Sequence, residues 1–235
     1  MENEIEIVKS VGDTILEYNT DLITDITELG IDYIFEDSPF VELPIVKTIY
    51  SITKTGIAIR DRHMLNKTLI FINQLITNTL DSKSYEEYKE KIKKRDKKTF
   101  EELERVIIIL DKFIEKEKAI ILANLYSACL NKYISFSTFQ NFAFVLDKFL
   151  LYDRTNLGML YDEDRQLSNM EDKYGPTNRL ISLGMAYMIN GYSRNPITNN
   201  ISFMPPKNDV AITDFGRQFY RYGFLNEKNT GTTQS

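Results

Sequence analysis

Residues 39–80, PFVELPIVKTIYSITKTGIAIRDRHMLNKTLIFINQLITNTL, hold the longest helical periodicity in the chain and decide its fold. Pro44 suits the first turn of a helix, where a missing N–H leaves no bond unmade. Isoleucines recur after it at helical spacing: Ile45, Ile49 and Ile52. A second apolar face continues to about Thr79. The stretch therefore predicts two amphipathic helices, with a kink, a break or a close helix approach at Gly56.

Four charged side chains of this stretch fall largely outside the apolar face and are the first binding candidates: Arg60, Asp61, Arg62 and Lys67. A carboxylate between two guanidinium groups favours a charge-assisted cluster, so Asp61 is expected to bind its two neighbours. Residues 1–40 carry 11 acids and 1 base, whereas residues 41–80 carry five bases and two acids, a net charge of +3. Opposite charge on adjacent segments predicts that the acidic helices lie on or near the cationic stretch.

The apolar content of the same stretch raises the question of a membrane. A spanning helix needs about 20 mostly apolar residues. Charged side chains interrupt every window of that length: Glu42, Lys47, Lys54, Arg60 and Asp61. A helix that lies on a membrane surface is the alternative, with lysine and arginine toward the headgroups. A buried helix pair in a bundle is favoured, because apolar stripes usually form a core.

Composition is that of a globular protein with one large or two small domains. Of the 235 residues, 43% are hydrophobic, and 10 glycines and 6 prolines disfavour an all-β fold or a long linker. Cys129 is the single cysteine, so no internal disulfide can form and a reducing cytoplasm is expected. Acidic residues stand where a secretory signal would be basic, so no signal peptide is expected.

Three patterns predict helix starts within residues 81–150. Each has Ser or Thr followed three residues later by Glu or Gln, as in a capping box: Ser84 with Glu87, Thr99 with Glu102, and Ser137 with Gln140. The segment 117–130 is apolar nearly all round and is expected to be a buried central helix. After the acidic helices of residues 1–40, residues 41–152 are therefore predicted to be a helical core, and the fold mainly α, an antiparallel helical array.

Residues 153–226 differ in character and predict a small α/β module, followed by a disordered tail at 227–235. A helix over 177–183 precedes three short strand patterns: 185–188, 201–204 and 210–212. Thr213 is expected to cap the last helix. This order, with LISLG, the hairpin and ITDFGRQF, resembles the wing and closing helix of winged-helix modules.

The binding candidates of this module are Arg179, Arg217 and Arg221. Residues 151–235 carry nine bases and nine acids. A DNA reader concentrates positive charge, so a protein contact is favoured here over nucleic acid. The basic run KEKIKKRDKK at 89–98 is likewise interpreted as a solvated helix and turn.

Catalytic and metal patterns find little support. Any Ser-His-Asp or Cys-His scheme would have to use His63, the single histidine, whose neighbours in sequence are cationic. Asp162, Glu163 and Asp164 are interpreted as a solvated loop, and no phosphate loop or dinucleotide fingerprint is present. We therefore expect a protein that is not an enzyme, with no cofactor, no metal site and no small-molecule substrate.

Three segments together resemble small bacterial phage-defence proteins of the abortive-infection alpha type: ELPIVKTIYSITKTGIAIRDRHMLNK at 42–67, KYISFSTFQNF at 132–142 and ITDFGRQF at 212–219. The resemblance implies a role in phage defence and supplies no catalytic residues. The expected function is that of a non-enzymatic interaction or regulatory protein, which binds a protein partner or itself. The alternatives are a membrane-perturbing effector acting through residues 41–80 and a winged-helix DNA-binding regulator.

Overall fold

A computed structural model of the chain describes eight stretches: residues 2–18, 39–52, 59–79, 83–162, 175–189, 192–194, 201–203 and 210–225. Within them the chain is mainly helical, as predicted, with two short antiparallel strand pairs. Four predicted features lie outside the described residues: the kink at Gly56, the second acidic helix within 19–38, the loop at 163–164 and the tail at 227–235.

In the described part of the first 148 residues the helices are α1 Glu2–Glu17, α2 Pro44–Ile52, α3 Ile59–Thr79, α4 Lys83–Lys93, α5 Lys97–Lys112, α6 Glu117–Leu130 and α7 Phe136–Lys148. The elements that follow are α8 Arg154–Asp162, α9 Pro176–Ser182, β1 Ala186–Met188, β2 Tyr192–Arg194, β3 Ile201–Phe203, β4 Val210–Ile212 and α10 Asp214–Tyr220. The two helices predicted in residues 39–80 are thus confirmed. The chain divides into two compact units, Met1–Ala143 and Phe144–Ser235; the predicted boundaries at residues 40 and 152 stay predictions.

Helix α6 is the centre of the first unit, as its uniformly apolar sequence predicted. Its residues 121–128 are all buried, and it packs most extensively against α3. The ring of Tyr126 is fully buried and lies 6.0 Å from Phe71, 6.0 Å from Tyr88 and 5.2 Å from Phe139, between ring centroids. Tilted and edge-on aromatic pairs add to the free energy gained by burying the rings. These contacts join α3, α4 and α7 to the central helix.

Three amide side chains fix how α3 meets α6. The Asn78 Nδ2 donates to Asn124 Oδ1 at 2.7 Å, and the Gln74 Nε2 donates to the same oxygen at 3.0 Å. Gln74 also donates to Asn78 Oδ1 at 3.2 Å. A buried amide left without a hydrogen-bond partner costs about 1–3 kcal/mol. Sliding one helix along the other would break these bonds, so the cluster favours the observed register.

Helix α1 packs on α2 and reaches α3, so the first acidic helix lies near the cationic stretch as predicted. Thr14 accepts a hydrogen bond from the Ile45 N–H at 3.0 Å, one of the N–H groups that the first turn of α2 leaves unpaired. The charges pair differently from the prediction, however. Asp13 of α1 binds Arg95, between α4 and α5, at 2.8 Å, while Lys47 binds Glu42 within its own segment at 2.6 Å.

The three predicted capping boxes are each displaced. Helix α5 begins at Lys97, and its cap is Asp96, whose carboxylate accepts from the Thr99 N–H at 2.9 Å. Helix α7 begins at Phe136, and Ser135 Oγ accepts from the Thr138 N–H at 3.0 Å. The predicted cap Ser84 lies inside helix α4, which the structure describes from Lys83. Asp, Ser and Thr are all common N-cap residues. Where two of them lie close together, the spacing of the capping box does not show which one caps the helix.

Within the described part of the second unit, helix α8 and strand β2 were not predicted. Helix α8 precedes the predicted helix at 177–183, and β2 falls between the predicted strands at 185–188 and 201–204. Strand β1 pairs antiparallel with β4, and β2 pairs antiparallel with β3. Thr213 caps α10 as predicted, accepting from the Gly216 N–H at 2.9 Å. A Cβ on Gly216 would overlap the Met185 carbonyl oxygen, so glycine is required where α10 crosses the start of β1.

Aromatic rings form the core of this unit. The ring of Phe149 is fully buried and lies 5.6 Å from Phe219 and 5.8 Å from Phe224, between centroids. Tyr220 stacks on Tyr161 of α8 at 5.0 Å. These contacts attach α10 to the unpredicted helix α8. None of the helices in the described ranges is long and apolar enough to cross a membrane.

Candidate functional site

The clearest concave site of the first unit is a cavity of about 450 Å³ bounded by α1, α2, α3 and α5. Its apolar lining consists of Ile7, Val8, Ile49, Ile52, Met64, Ile107 and Ile108, and its charged lining of Arg60, Asp61, Glu104, Asp111 and Lys112. Pockets with an aliphatic floor and a few charged groups are typical of binding sites. Two of the predicted binding residues, Arg60 and Asp61, therefore line the cavity.

A second, more open cavity of about 640 Å³ continues the first along the same helices. It shares Val8 of α1 and Glu104 of α5 with the first cavity. Along α5 the two cavities are lined by Lys97, Phe100, Glu101, Glu104, Ile107, Ile108, Asp111 and Lys112. These positions recur every three or four residues, some as adjacent pairs, and form one stripe down the whole helix. We call the two cavities together the α5 groove.

Ile108 is the most informative apolar residue of the groove. Its side chain lines the first cavity and is 51% exposed, while the adjacent Ile107 is buried in the core. Ile5 of α1, which lines the second cavity, is exposed to a similar extent. Single exposed apolar residues are ordinary, but Ile108 and Ile5 both line the α5 groove.

The charge pairing of the groove differs from the predicted cluster. The Arg60 guanidinium binds the carboxylate of Asp111 on α5, 51 residues away, and not that of its neighbour Asp61. This partner raises the pKa of Arg60. Asp61 and Glu104 form no ion pair with any residue that the structure describes. Among the described residues these two carboxylates therefore lack an ion-pair partner, although the charge of Asp61 also acts on Arg60, and the cationic Lys9 lines the second cavity.

Lys67, predicted to lie outside the apolar face, is buried with 4% exposure. Its ammonium donates to the carbonyl oxygens of Phe113 at 2.6 Å and Asp111 at 3.3 Å, at the end of α5. A cation there satisfies carbonyl groups that the helix end leaves unpaired. Burial lowers the pKa of Lys67, against the attraction of the Asp111 carboxylate. Lys67 thus positions α5 and is not available to a partner.

The remaining candidates of this corner are Arg62 and His63, in the first turns of α3. Arg62 is half-buried, and His63 is exposed. Neither lines a cavity of the α5 groove. Within the described residues, no group of His, Cys, Asp and Glu side chains could hold a metal ion. Burial raises the pKa of the Cys129 thiol to about 12, which disfavours the reactive thiolate.

In the second unit the predicted binding residues are engaged in internal contacts. Arg179 binds the fully buried Asp153 through two hydrogen bonds, at 2.8 Å and 2.7 Å. The guanidinium of Arg217 lies 5.8 Å from the ring centroid of Tyr161, and that of Arg221 lies 5.6 Å from that of Tyr222. Arginine–ring contacts of this kind stabilise the fold. The three arginines are therefore part of how the unit holds together.

Sequence reasoning missed the residues of α5 that line the groove. Helical spacing places Leu103, Val106 and Ile107 on its buried face, but the adjacent stripe through Glu104, Ile108 and Asp111 was not predicted. The available signal was Ile108, the second isoleucine of the run VIIIL at 106–110. It lies beside the core face of an amphipathic helix and not on it, so its apolar side chain indicates a second apolar surface.

Comparison with known proteins gives no relative: no family model, no curated protein and no solved structure matches the chain. The geometry of its own residues is therefore the basis for any functional assignment.

Proposed function

We propose that this chain is a non-enzymatic interaction or regulatory protein that binds a protein partner through the α5 groove. The observation that carries the proposal is a continuous groove along α5 with an aliphatic floor, an exposed isoleucine and two carboxylates, Asp61 and Glu104, that form no ion pair with a described residue. Such a surface suits recognition, in which a few apolar anchors are buried and charges select the partner. Phage defence is the setting we propose, on the resemblance of residues 42–67, 132–142 and 212–219 to abortive-infection alpha proteins.

The second unit has a supporting part in this proposal. Its order of helix, strands and closing helix resembles a winged helix, and we propose that the module contacts protein and not DNA. DNA binding would require Arg179 to exchange Asp153 for a phosphate, at the expense of a buried ion pair. A DNA-binding regulator would show affinity for duplex DNA that falls steeply with salt concentration.

A membrane-perturbing effector is the second candidate. The exposed Tyr50 and Ile59 favour it, since they lie near the facing ends of α2 and α3 and could enter a headgroup region. Liposome leakage tests it: dye release from anionic vesicles at low salt that disappears in Ile59→Glu would support it. Unchanged vesicles and no lipid binding would exclude it.

Affinity capture with matched variants tests the main proposal. Ile108→Glu introduces a charge into the groove at a half-exposed position, and Ile114→Glu introduces the same charge at a position that is 90% exposed and outside the groove. We expect one partner to be captured by the wild type and by Ile114→Glu, and to be lost from Ile108→Glu. Cells that carry the wild type or Ile114→Glu should resist phage better than cells that carry Ile108→Glu.

The proposal fails if capture and phage resistance are the same for both variants, or if neither the wild type nor the control shows a partner or a growth phenotype. Circular dichroism of each variant establishes that the comparison is made between folded proteins.

A further inference from the structure

The first cavity of the α5 groove has an apolar side and a charged side. Helices α1 and α2 contribute four aliphatic side chains and no charge: Ile7, Val8, Ile49 and Ile52. All the charged residues that line this cavity come from α3 and α5. A molecule that fills the cavity therefore meets hydrocarbon on one side and polar groups on the other, an arrangement that suits an amphiphile.

The apolar lining favours a saturated hydrocarbon inside the cavity. Its apolar residues are isoleucine, valine and methionine, and of the two cavities only the second is lined by an aromatic residue, Phe100. An aromatic ligand would prefer ring partners. A peptide backbone would bring N–H and C=O groups for which the aliphatic side chains of α1 and α2 offer no partner. A saturated chain has neither requirement, and the flexible side chain of Met64 adapts to its shape.

The charged side presents groups of both signs. Three acids and two bases line the cavity, and Arg60 pairs with Asp111. The charged groups that remain are Asp61, Glu104 and Lys112. A hydroxyl or amide head group both donates and accepts hydrogen bonds, so it can bind carboxylates and an ammonium alike. A head group with a net charge would be repelled by one of the two kinds.

The volume of the cavity, about 450 Å³, limits the length of the chain. A water molecule occupies about 30 Å³ in the liquid and a methylene group is of similar size, so the cavity holds on the order of 15 such groups. We infer that the first cavity binds one unbranched alkyl chain of roughly ten carbons with an uncharged polar head group. This goes beyond the proposed function, because it assigns a small-molecule ligand to one part of the groove.

A series of straight-chain alcohols, from hexanol to tetradecanol, tests the inference on the full chain. NMR of protein labelled with carbon-13 at the isoleucine δ1 methyl groups measures the affinity and the position of each alcohol together. We expect shifts at Ile49, Ile52 and Ile107, which line the cavity, and none at Ile134, which does not. Each added methylene should tighten binding by roughly fourfold until the cavity is full, near ten carbons, and the affinity should then level off.

Decanoate and decylammonium test the head group at constant chain length. We expect decanol to bind at least about threefold more tightly than either ion, since each ion meets a like charge at the rim. An ion that binds as tightly as decanol, or more tightly, would overturn the assignment of an uncharged head group.

Two substitutions that fill the cavity test its location. Met64→Trp and Val8→Phe each add side-chain volume to the lining and should weaken decanol binding by at least about tenfold. Ile114→Trp adds a bulky ring at a position that is 90% exposed and outside the cavity, and should leave the affinity unchanged. Circular dichroism establishes that each variant is folded.

The inference is overturned if decanol does not bind the folded chain, if the shifts spread to isoleucines outside the cavity, or if binding persists in both filled variants. Affinity that keeps rising through tetradecanol would also overturn it, because that result indicates adsorption to apolar surface and not a cavity of limited volume. The proposed function fails by a different result, the capture of a partner that does not depend on Ile108.

Discussion

Arg179 and Asp153 are bound side by side through two parallel hydrogen bonds, although 26 residues separate them in the sequence. The carboxylate is fully buried, and the guanidinium is partly covered by the ring of Tyr152, 5.1 Å from its centroid. The pair joins α9 to the turn that precedes α8. An arginine that the sequence offered as a binding residue is thus a structural element of the second unit.

Arg179→Ala should therefore destabilise the second unit and not simply weaken binding. Removing the guanidinium leaves a buried carboxylate uncompensated, at a cost of about 3 kcal/mol in the free energy of unfolding. Urea denaturation followed by circular dichroism measures this. The double variant Asp153→Leu, Arg179→Leu should recover most of the loss, because an apolar pair leaves no buried charge. A loss below about 0.5 kcal/mol for Arg179→Ala would show that the pair is a surface contact.

Gly216→Ala tests the close approach of α10 to β1. The added methyl group would overlap the Met185 carbonyl oxygen, which is backbone and cannot rotate away. We expect a loss of roughly 2 kcal/mol or more, since overpacking forces the backbone to shift. Thermal unfolding measures it, and Gln218→Ala, on the exposed side of the same helix, is the control. An unchanged midpoint for Gly216→Ala would mean that α10 and β1 are farther apart.

Helical periodicity predicted α2, α3 and α6 well, because burial of an apolar face is a local property that repeats along the chain. The caps of α5 and α7 were misplaced because Asp96 and Thr99, or Ser135 and Ser137, satisfy the same local rule. Helix α8 was missed since its stability depends on rings contributed by α10, which no local pattern reveals.

The site was predictable only in part, because its ion pairs join residues that are far apart in the sequence. Arg60 and Asp61 do line the groove, but Asp111 and Glu104 come to it from α5, and Asp111 is 51 residues from Arg60 in the sequence. Lys67 has the sequence environment of a surface lysine, and its burial follows from where α5 ends. Pairing of Arg179 with Asp153 is likewise a consequence of tertiary structure.

Lys67→Met tests the role of the buried ammonium at the end of α5. Loss of its hydrogen bonds to Phe113 and Asp111 leaves carbonyl groups unpaired, and we expect a cost of about 1–2 kcal/mol at neutral pH. The pKa of Lys67 in the folded chain lies below its pKa in the unfolded chain. The free energy of unfolding therefore increases as pH rises from the folded-state pKa toward the unfolded-state value of about 10, and decreases as pH falls over the same range.

The variant should therefore lose that part of the pH dependence, which urea denaturation at pH 8 and pH 10 detects. Lys112→Met, one residue after Asp111 and exposed, is the matched control. Equal effects of the two substitutions would argue against a buried role for Lys67.

Alkaline pH should destabilise the first unit through its buried tyrosines. Burial raises the pKa of Tyr85 to about 12, and raises the pKa of Tyr88 and Tyr126 further above the ordinary value. These groups keep their protons in the folded chain after the unfolded chain has released them. Their stabilising contribution is thus complete below pH 10 and is lost as pH rises through the folded-state values.

Tyr126→Phe removes one of these groups and should reduce the slope of stability against pH, above pH 10, by about 1.4 kcal/mol per pH unit. It should also cost about 1 kcal/mol at pH 7, because the hydrogen bond to Tyr88 is lost. With no tryptophan in the chain, tyrosinate absorbance reports the titration directly. A slope identical to that of the wild type would contradict the burial of Tyr126.

Hydrogen–deuterium exchange of the chain with and without its captured partner locates the binding surface most directly. If the α5 groove is that surface, partner binding should slow amide exchange in residues 5–9 and 97–112 and leave residues 176–188 unchanged. Slower exchange confined to residues 176–188, with residues 97–112 unaffected, would contradict the assignment.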